Sequence, residues 1–211
     1  MGSSKAPRPS EWLVVIGSGT GGPQALAQLV PQFPPSFQGA ILILQHMRPG
    51  FTRVLANQLN QVSKLPVCEP LDGQLLQAGR VLVVPSGWSA TIGQPDDRSE
   101  SAKCILLENV KDQTQKLHDR TNQAMISAAG EFGSKTAGVL LTGNGPYGTQ
   151  GMRAIAEAGG ITIAQDEASC VVFDVPSAAI SADVVSEVVP LWNVAERTIH
   201  YVMGDVNATA A

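Results

Sequence analysis

The sequence is short of cysteine and of long apolar runs, and each shortage excludes a class of protein. Cys68, Cys104 and Cys170 are odd in number and widely spaced, so neither a disulfide framework nor a zinc site is predicted. No apolar run approaches the roughly 20 residues that a membrane-spanning helix needs, and no signal-peptide segment begins the chain. We therefore expect reduced thiols, no membrane insertion and a cytoplasmic location.

Charge is also scarce. Charged residues make up 15% of the chain, the net charge is −4, and the lysines and arginines are scattered rather than aligned in a stripe. Such a chain offers no basic surface for a phosphate backbone. Nucleic acid is therefore not an expected partner, and nothing in the sequence predicts a metal or a cofactor.

What the sequence does contain is enough apolar material for one core. With 211 residues, 44% of them hydrophobic, the chain is predicted to form one domain. Residues 1–11 are polar, include two prolines and are predicted to be a disordered tag or linker. The domain is expected to span residues 12–205, followed by a disordered tail at 206–211.

Short runs of Val, Ile and Leu alternate with longer amphipathic stretches, which is typical of parallel strands buried on both faces. The predicted strands are Trp12–Ile16, Ala40–Gln45, Pro66–Glu69, Arg80–Val84, Gly138–Leu141 and Ile161–Ala164. The predicted helices are Pro23–Val30, Thr52–Val62, Asn122–Phe132, Gly148–Glu157, Ser177–Ala182 and Asn193–Met203. Trp88–Asn109 interrupts this alternation and predicts a small β-hairpin excursion. The pattern predicts an α/β fold: a single, mostly parallel, doubly wound, Rossmann-like sheet with its ligand site at the carboxyl ends of the strands.

A glycine-rich loop follows the first predicted strand. Gly17, Gly19 and Gly22 satisfy the GxGxxG spacing of a dinucleotide-binding turn, and Pro23 suits a helix start. The N–H groups of Gly17, Gly19, Gly21 and Gly22 are predicted to form an anion-binding loop. A dinucleotide site also needs an acidic residue after the second strand, where this chain has Gln45-His46-Met47. Dinucleotide binding therefore stays an alternative.

Five segments resemble, in order, the bacterial chemotaxis protein-glutamate methylesterase family. They are 17–26 (GSGTGGPQAL), 44–59 (LQHMRPGFTRVLANQL), 71–79 (LDGQLLQAG), 138–148 (GVLLTGNGPYG) and 160–176 (GITIAQDEASCVVFDVP). The resemblance covers nearly the whole chain from Trp12 to about Ala195. It implies the catalytic domain of a receptor methylesterase.

The resemblance also implies where a catalytic triad would stand. By position, the family's serine corresponds to Gly19, its histidine to His46 and its aspartate to Tyr147, while a methionine of the last motif corresponds to Asn144. A family segment resembling HRPSVDVLF reads HDRTNQAMI at residues 118–126, so its Pro, Ser and Asp are also replaced. Only the histidine of the triad is retained.

These replacements predict little or no esterase activity. Ester hydrolysis by this route needs a hydroxyl to attack, an imidazole to take its proton and a carboxylate to orient the imidazole. Removing the serine of a triad costs roughly 10⁶-fold in turnover, and disabling the aspartate about 10⁴-fold. We expect Tyr147 to fill the space of the aspartate and to hydrogen-bond His46.

Three functions remain open. The first is a binding or regulatory pseudoenzyme whose partner is a chemoreceptor cytoplasmic region or another chemosensory signalling protein. The second is an active methylesterase or deamidase that uses His46 with Ser18, Thr20 or an activated water. In the first case Ser18 serves loop hydrogen bonding and Thr20 caps the following helix, while Asp166 and Glu167 support their loop. The third is a dinucleotide-binding domain.

Overall fold

A computed structural model describes residues 8–95, 102–110 and 117–204, apart from the side chains of residues 117–119. The predicted tail at 206–211, residues 1–7 of the predicted tag and the side chain of His118 lie outside the described residues. Within the described part, no helix is both long enough and apolar enough to cross a membrane.

The described chain contains nine strands and six α-helices. The strands are β1 Trp12–Ser18, β2 Gly39–Gln45, β3 Val67–Cys68, β4 Val81–Val83, β5 Trp88–Gly93, β6 Cys104–Asn109, β7 Thr136–Leu140, β8 Ile161–Gln165 and β9 Glu187–Val189. The helices are α1 Gly22–Leu29, α2 Phe51–Val62, α3 Leu117–Phe132, α4 Thr149–Glu157, α5 Asp174–Ser181 and α6 Leu191–Met203.

Seven strands form one parallel sheet in the order β3-β4-β2-β1-β7-β8-β9. β5 and β6 form a separate antiparallel pair, so the predicted doubly wound α/β sheet with a hairpin excursion is confirmed. The hairpin packs on α3, where the backbone N–H of Ile92 donates to Ser127 Oγ at 3.0 Å.

The core lies on both faces of the sheet, which explains the continuous apolar runs. Along β1, Val14 and Ile16 pack with apolar residues of α1, α2 and α6. Leu13 and Val15 face the other way and pack with residues of α3, α4, α5 and the hairpin. Because residues on both faces of the central strands β1 and β2 are covered, strict apolar–polar alternation is absent there.

Ser10, in the segment that the sequence assigned to a tag or linker, contacts the start of the sheet. Ser10 is buried, its hydroxyl donates to the carbonyl of Trp12 at 2.6 Å, and it accepts the N–H of Ala40 at 2.8 Å. Its own N–H donates to the carbonyl of Leu76 at 2.9 Å. A polar segment is ordered here because it satisfies backbone groups at the amino ends of the strands.

The larger differences from the prediction are two helix starts and one unpredicted strand. α3 begins at Leu117 rather than Asn122, since a polar first turn hides a helix start in the sequence. α5 begins at Asp174 rather than Ser177, because Pro176 lies in the first helical turn, where no intrahelical donor is needed. β9 was not predicted, and it is a short edge strand that pairs only with β8.

Candidate functional site

The site lies where the sheet reverses its direction of winding. The chain builds β2, β3 and β4 on one side of β1 and then crosses to β7, β8 and β9 on the other. The loops after β1 and β7 are tied together: the N–H of Leu141 donates to Gly17 and that of Gly19 donates to Thr142, both at 2.9 Å. Such a reversal opens a crevice at the carboxyl ends of the strands.

The Tyr147 phenol fills the space beside Gly19. A Cβ atom placed on Gly19 would overlap the Tyr147 hydroxyl and would lie 3.2 Å from the Cα of Gly143. Tyr147 is only 1% exposed, and burial raises the pKa of its phenol well above the ordinary value. The two positions that the resemblance assigns to serine and aspartate are therefore sterically coupled, because a side chain at Gly19 would require the Tyr147 ring to move.

Gln45 holds the loop after β1 against the end of β2. Its Oε1 accepts the Ser18 hydroxyl at 2.7 Å, and its Nε2 donates to the carbonyls of Gly19 at 2.9 Å and His46 at 2.8 Å. Ser18 is fully buried, and its proton is committed to the amide. This arrangement agrees with loop hydrogen bonding by Ser18, and a role for Ser18 as the attacking group stays a prediction.

His46 and Thr20 lie at the open part of the site. Both are exposed and both line one cavity of about 790 Å³. The predicted capping role of Thr20 is wrong, because the N-cap residue of α1 is Gly21 and no side chain caps that helix. Its carbonyl instead accepts the Thr142 hydroxyl at 2.9 Å, which directs the backbone and not the side chain of Thr20 toward β7.

Each glycine of the dinucleotide-like pattern has a steric reason within the protein itself. A Cβ on Gly17 would lie 3.0 Å from both Leu140 Cδ2 and Thr121 Cγ2, and one on Gly22 would overlap the Gln45 amide. The third glycine, Gly19, makes room for the Tyr147 phenol. Packing therefore accounts for the GxGxxG spacing without a nucleotide.

Two N–H groups of the predicted anion-binding loop are used inside the protein. Gly19 donates to the carbonyl of Thr142 at 2.9 Å, and Gly22 donates to that of Gly19 at 2.8 Å. Gly21 adopts a left-handed conformation at the start of α1, with φ +83°. Anion binding by the remaining N–H groups of the loop stays a prediction.

The other residues singled out from the sequence have structural contacts. Asn144 is exposed, and its Nδ2 donates to Asp174 at the start of α5 at 3.1 Å. Asp166 accepts the N–H and the hydroxyl of Ser169, at 3.0 and 2.5 Å, as expected of a residue that supports its loop. Glu167 is exposed in the same turn.

Among the described residues, Cys170 has an environment that does not favour a reactive thiol, and no group of metal ligands is present. Burial raises the pKa of the Cys170 thiol to about 12, with the charges of Asp166 and Glu167 adding to the effect. A thiol of that pKa is protonated at neutral pH and is a poor nucleophile. Among the described residues, no three His, Cys, Asp or Glu side chains are grouped as metal ligands.

The sequence did not point to Arg120, which also lines the cavity that holds His46 and Thr20. Arg120 lies in the first half of α3 and borders a second, smaller cavity beside Ser18 and Gln45. Both cavities also share Ser86 and Trp88, and we call the two together the cleft. The sequence carried one signal for this residue: in the segment at 118–126, Arg120 stands at the position where the family segment has its proline.

The cleft has a defined frame. The Ser86 hydroxyl donates to the carbonyl of Met47, which ties the loop after β4 to the loop after β2. The N–H of Val110 donates to Gly87 at 3.0 Å and fixes the base of the hairpin as one wall. Three separate loops thus meet around one solvent-accessible space, which is the usual setting of a ligand site in this kind of sheet.

Comparison with known proteins agrees with this arrangement. A family model described as CheB methylesterase matches residues 14–198. The chain is 45% identical over 185 residues to a protein-glutamate methylesterase/protein-glutamine glutaminase from Carboxydothermus hydrogenoformans, covering 88% of this chain and 54% of that protein. It is 38% identical over 194 residues to a relative of the same name from Pyrococcus abyssi, covering 92% and 51% respectively. The chain thus spans about half the length of the curated relatives it matches.

The fold has a close counterpart of known structure. The crystal structure of the Thermotoga maritima CheB methylesterase catalytic domain superposes with a TM-score of 0.82 and 33% sequence identity. The match covers 90% of this chain and 97% of that chain. The similarity therefore extends over a whole catalytic domain rather than over a shared sheet alone.

Proposed function

This chain belongs to the CheB methylesterase family, and we propose that it acts in a cytoplasmic chemosensory pathway as a domain that binds protein glutamyl side chains without hydrolysing them. Its partner in this proposal is a chemoreceptor cytoplasmic region or another chemosensory signalling protein. The relatives' names give two reactions, on protein-glutamate methyl esters and on protein-glutamine. Both reactions act on the same kind of side chain, which is why we assign that class of ligand.

The single observation that carries the proposal is the phenol of Tyr147 beside Gly19. A serine nucleophile needs space for its Cβ and Oγ, and the Tyr147 hydroxyl occupies that space. The same replacement removes the carboxylate that would orient an imidazole. His46 stays exposed in the cleft, where it is available for contact with a ligand.

The test is methanol release from a methylated chemoreceptor cytoplasmic fragment. We expect no release by the native chain above a heat-treated control, together with measurable binding of the fragment. Gly19→Ser/Tyr147→Asp should restore turnover, because it removes the phenol and supplies both a hydroxyl and a carboxylate. The matched control is Gly19→Ala/Tyr147→Asp, which relieves the same overlap without a nucleophile and should stay silent. Methanol release by the native chain would overturn the proposal.

One observation favours a second candidate, an esterase or glutaminase with an unusual nucleophile. Thr20 and His46 are both exposed and line the same cavity. In that case Thr20→Val, which keeps the shape and removes the hydroxyl, should abolish turnover as completely as His46→Ala. Absence of turnover in the native chain would exclude this candidate.

A further inference from the structure

The described residues that line the cleft carry charge of one sign. Arg48 and Arg120 line the larger cavity, beside His46, and none of the described lining residues is Asp or Glu. The chain as a whole carries a net charge of −4, so this positive lining is not a general property of the surface. Charges of one sign in a concave site favour a ligand of the opposite sign.

Among the described residues, Arg120 has hydrogen-bonding capacity that is not used. Its Nε is buried and has no hydrogen-bond partner among the described residues. The ion pairs within the described part of the chain are Lys103–Glu131, Lys135–Glu11 and Arg197–Glu187, so Arg120 takes part in none of them. Burial lowers the pKa of Arg120, yet a guanidinium remains charged at neutral pH. Because the Nε atom is buried, a ligand would meet the guanidinium through the part of Arg120 that lines the cavity, where no described residue forms an ion pair with it.

The rest of the cleft suits a side chain with an apolar stem. Met47, Pro49, Trp88 and Val110 line the same cavity. The methylene groups of a glutamyl side chain would pack against these residues, while the carboxylate reached the guanidinium groups. The cavity, about 790 Å³, is of the size that binds ligands of this kind.

Guanidinium groups discriminate among the three forms of such a side chain. A carboxylate accepts two parallel hydrogen bonds from the planar fork of an arginine and carries the opposite charge. A methyl ester has no charge, and an amide presents two donors of its own to the same groups. The carboxylate is therefore the form that the arginines of the cleft bind best.

We propose that the cleft, through Arg120 and Arg48, selects the free carboxylate of a glutamate side chain over its methyl ester or amide. This inference rests on the proposed function and specifies it: the domain recognises the demethylated or deamidated state of its protein partner. Hydrogen bonds to charged groups contribute about 1.5–3 kcal/mol, so we expect a preference of about tenfold or more.

The test is calorimetric titration of the full chain with three helical peptides. They are identical except for one central residue, which is Glu, Gln or the γ-methyl ester of Glu. The Glu peptide should bind about tenfold or more tightly than the other two, and Arg120→Gln should reduce its affinity to theirs. Arg48→Gln is a second, independent variant and should weaken the preference. The matched control is Arg80→Gln, which removes a charge of the same sign immediately before β4. Arg80 lies at the amino ends of the strands, whereas the cleft lies at their carboxyl ends.

Each outcome decides between the two proposals. Equal affinities for the three peptides would overturn the carboxylate preference alone. No binding of any peptide at millimolar concentration would overturn both the preference and the proposed binding of glutamyl side chains. Tighter binding of inorganic phosphate than of the Glu peptide would make the cleft a phosphate site and would also overturn it. The Gln and ester peptides are recovered after titration, and their masses are measured by mass spectrometry. Their conversion to the Glu form would overturn the non-hydrolysing function instead, whatever the order of affinities.

Discussion

Gly19→Ala should destabilise this protein, and removal of the Tyr147 hydroxyl should restore the lost stability. The added Cβ would overlap the phenolic oxygen, so the ring must move within a packed site. Overpacking of this kind costs about 1–3 kcal/mol. Gly19 does not adopt a positive φ, so the backbone itself accepts alanine.

The structure gives the expected size of the rescue. In Tyr147→Phe, the ring carbon that carried the hydroxyl would lie 3.4 Å from the new Cβ, which is ordinary van der Waals contact. The approach to the Cα of Gly143, 3.2 Å, is present in both backgrounds and cancels in a double-mutant cycle. The entropic effect of Gly→Ala on the unfolded chain cancels in the same way. We therefore expect a coupling free energy of about 1–3 kcal/mol.

Urea denaturation of the native chain, the two single variants and the double variant measures this coupling. Gly130→Ala is the matched control, because its new Cβ meets nothing within 4 Å and alanine is favoured by about 0.5–1 kcal/mol inside a helix. A coupling below about 0.5 kcal/mol would mean that the phenol does not exclude a side chain at Gly19. The steric argument for a lost nucleophile would then fail.

Three further predictions concern the frame of the site and the start of the domain. Gly22→Ala should lower the free energy of unfolding by more than about 1 kcal/mol, because its Cβ would displace the Gln45 amide and break the hydrogen bond from Gln45 to the loop after β1. A smaller loss, measured by urea denaturation, would argue against a stabilising role of that hydrogen bond. Ser10→Ala should cost about 1–3 kcal/mol in the same assay, since it leaves the buried N–H of Ala40 without an acceptor; an unchanged midpoint would contradict the ordered start. Stability should fall as the pH rises above about 10, because the unfolded chain ionises its tyrosines there while burial keeps the Tyr147 phenol protonated. Tyr147→Phe should flatten that fall, and parallel pH profiles would refute the assignment.

The fold was predictable because its signals are local. Continuous apolar runs such as that of β2, buried at every position, are typical of a strand covered on both faces when they are short and rich in β-branched residues. β9 was missed because an edge strand is half exposed and its three residues carry no such run. β1 extends through Gly17 and Ser18, whereas the predicted strand ended at Ile16, because glycine is depleted in strands.

Family membership was also readable in the sequence, since it depends only on which residue stands in which motif. The same resemblance predicts that Gly19 and Tyr147 stand where the family has its serine and aspartate, and that His46 stands where it has its histidine. The structural role of the three glycines could not be predicted from the sequence, because a nucleotide site and three separate packing contacts both satisfy the GxGxxG spacing. Only the neighbours of each glycine distinguish the two.

Tertiary structure alone decided which distant residues meet. Tyr147 and Gly19 lie far apart in the sequence, and the crossover between β1 and β7 brings their loops together. In the same way the path of α3 carries Arg120 to the cleft, although its local sequence gives only a polar helical turn. Steric exclusion and charge act through space over a few ångströms. A motif therefore names the groups available to a site, and the winding of the sheet determines which of them act together.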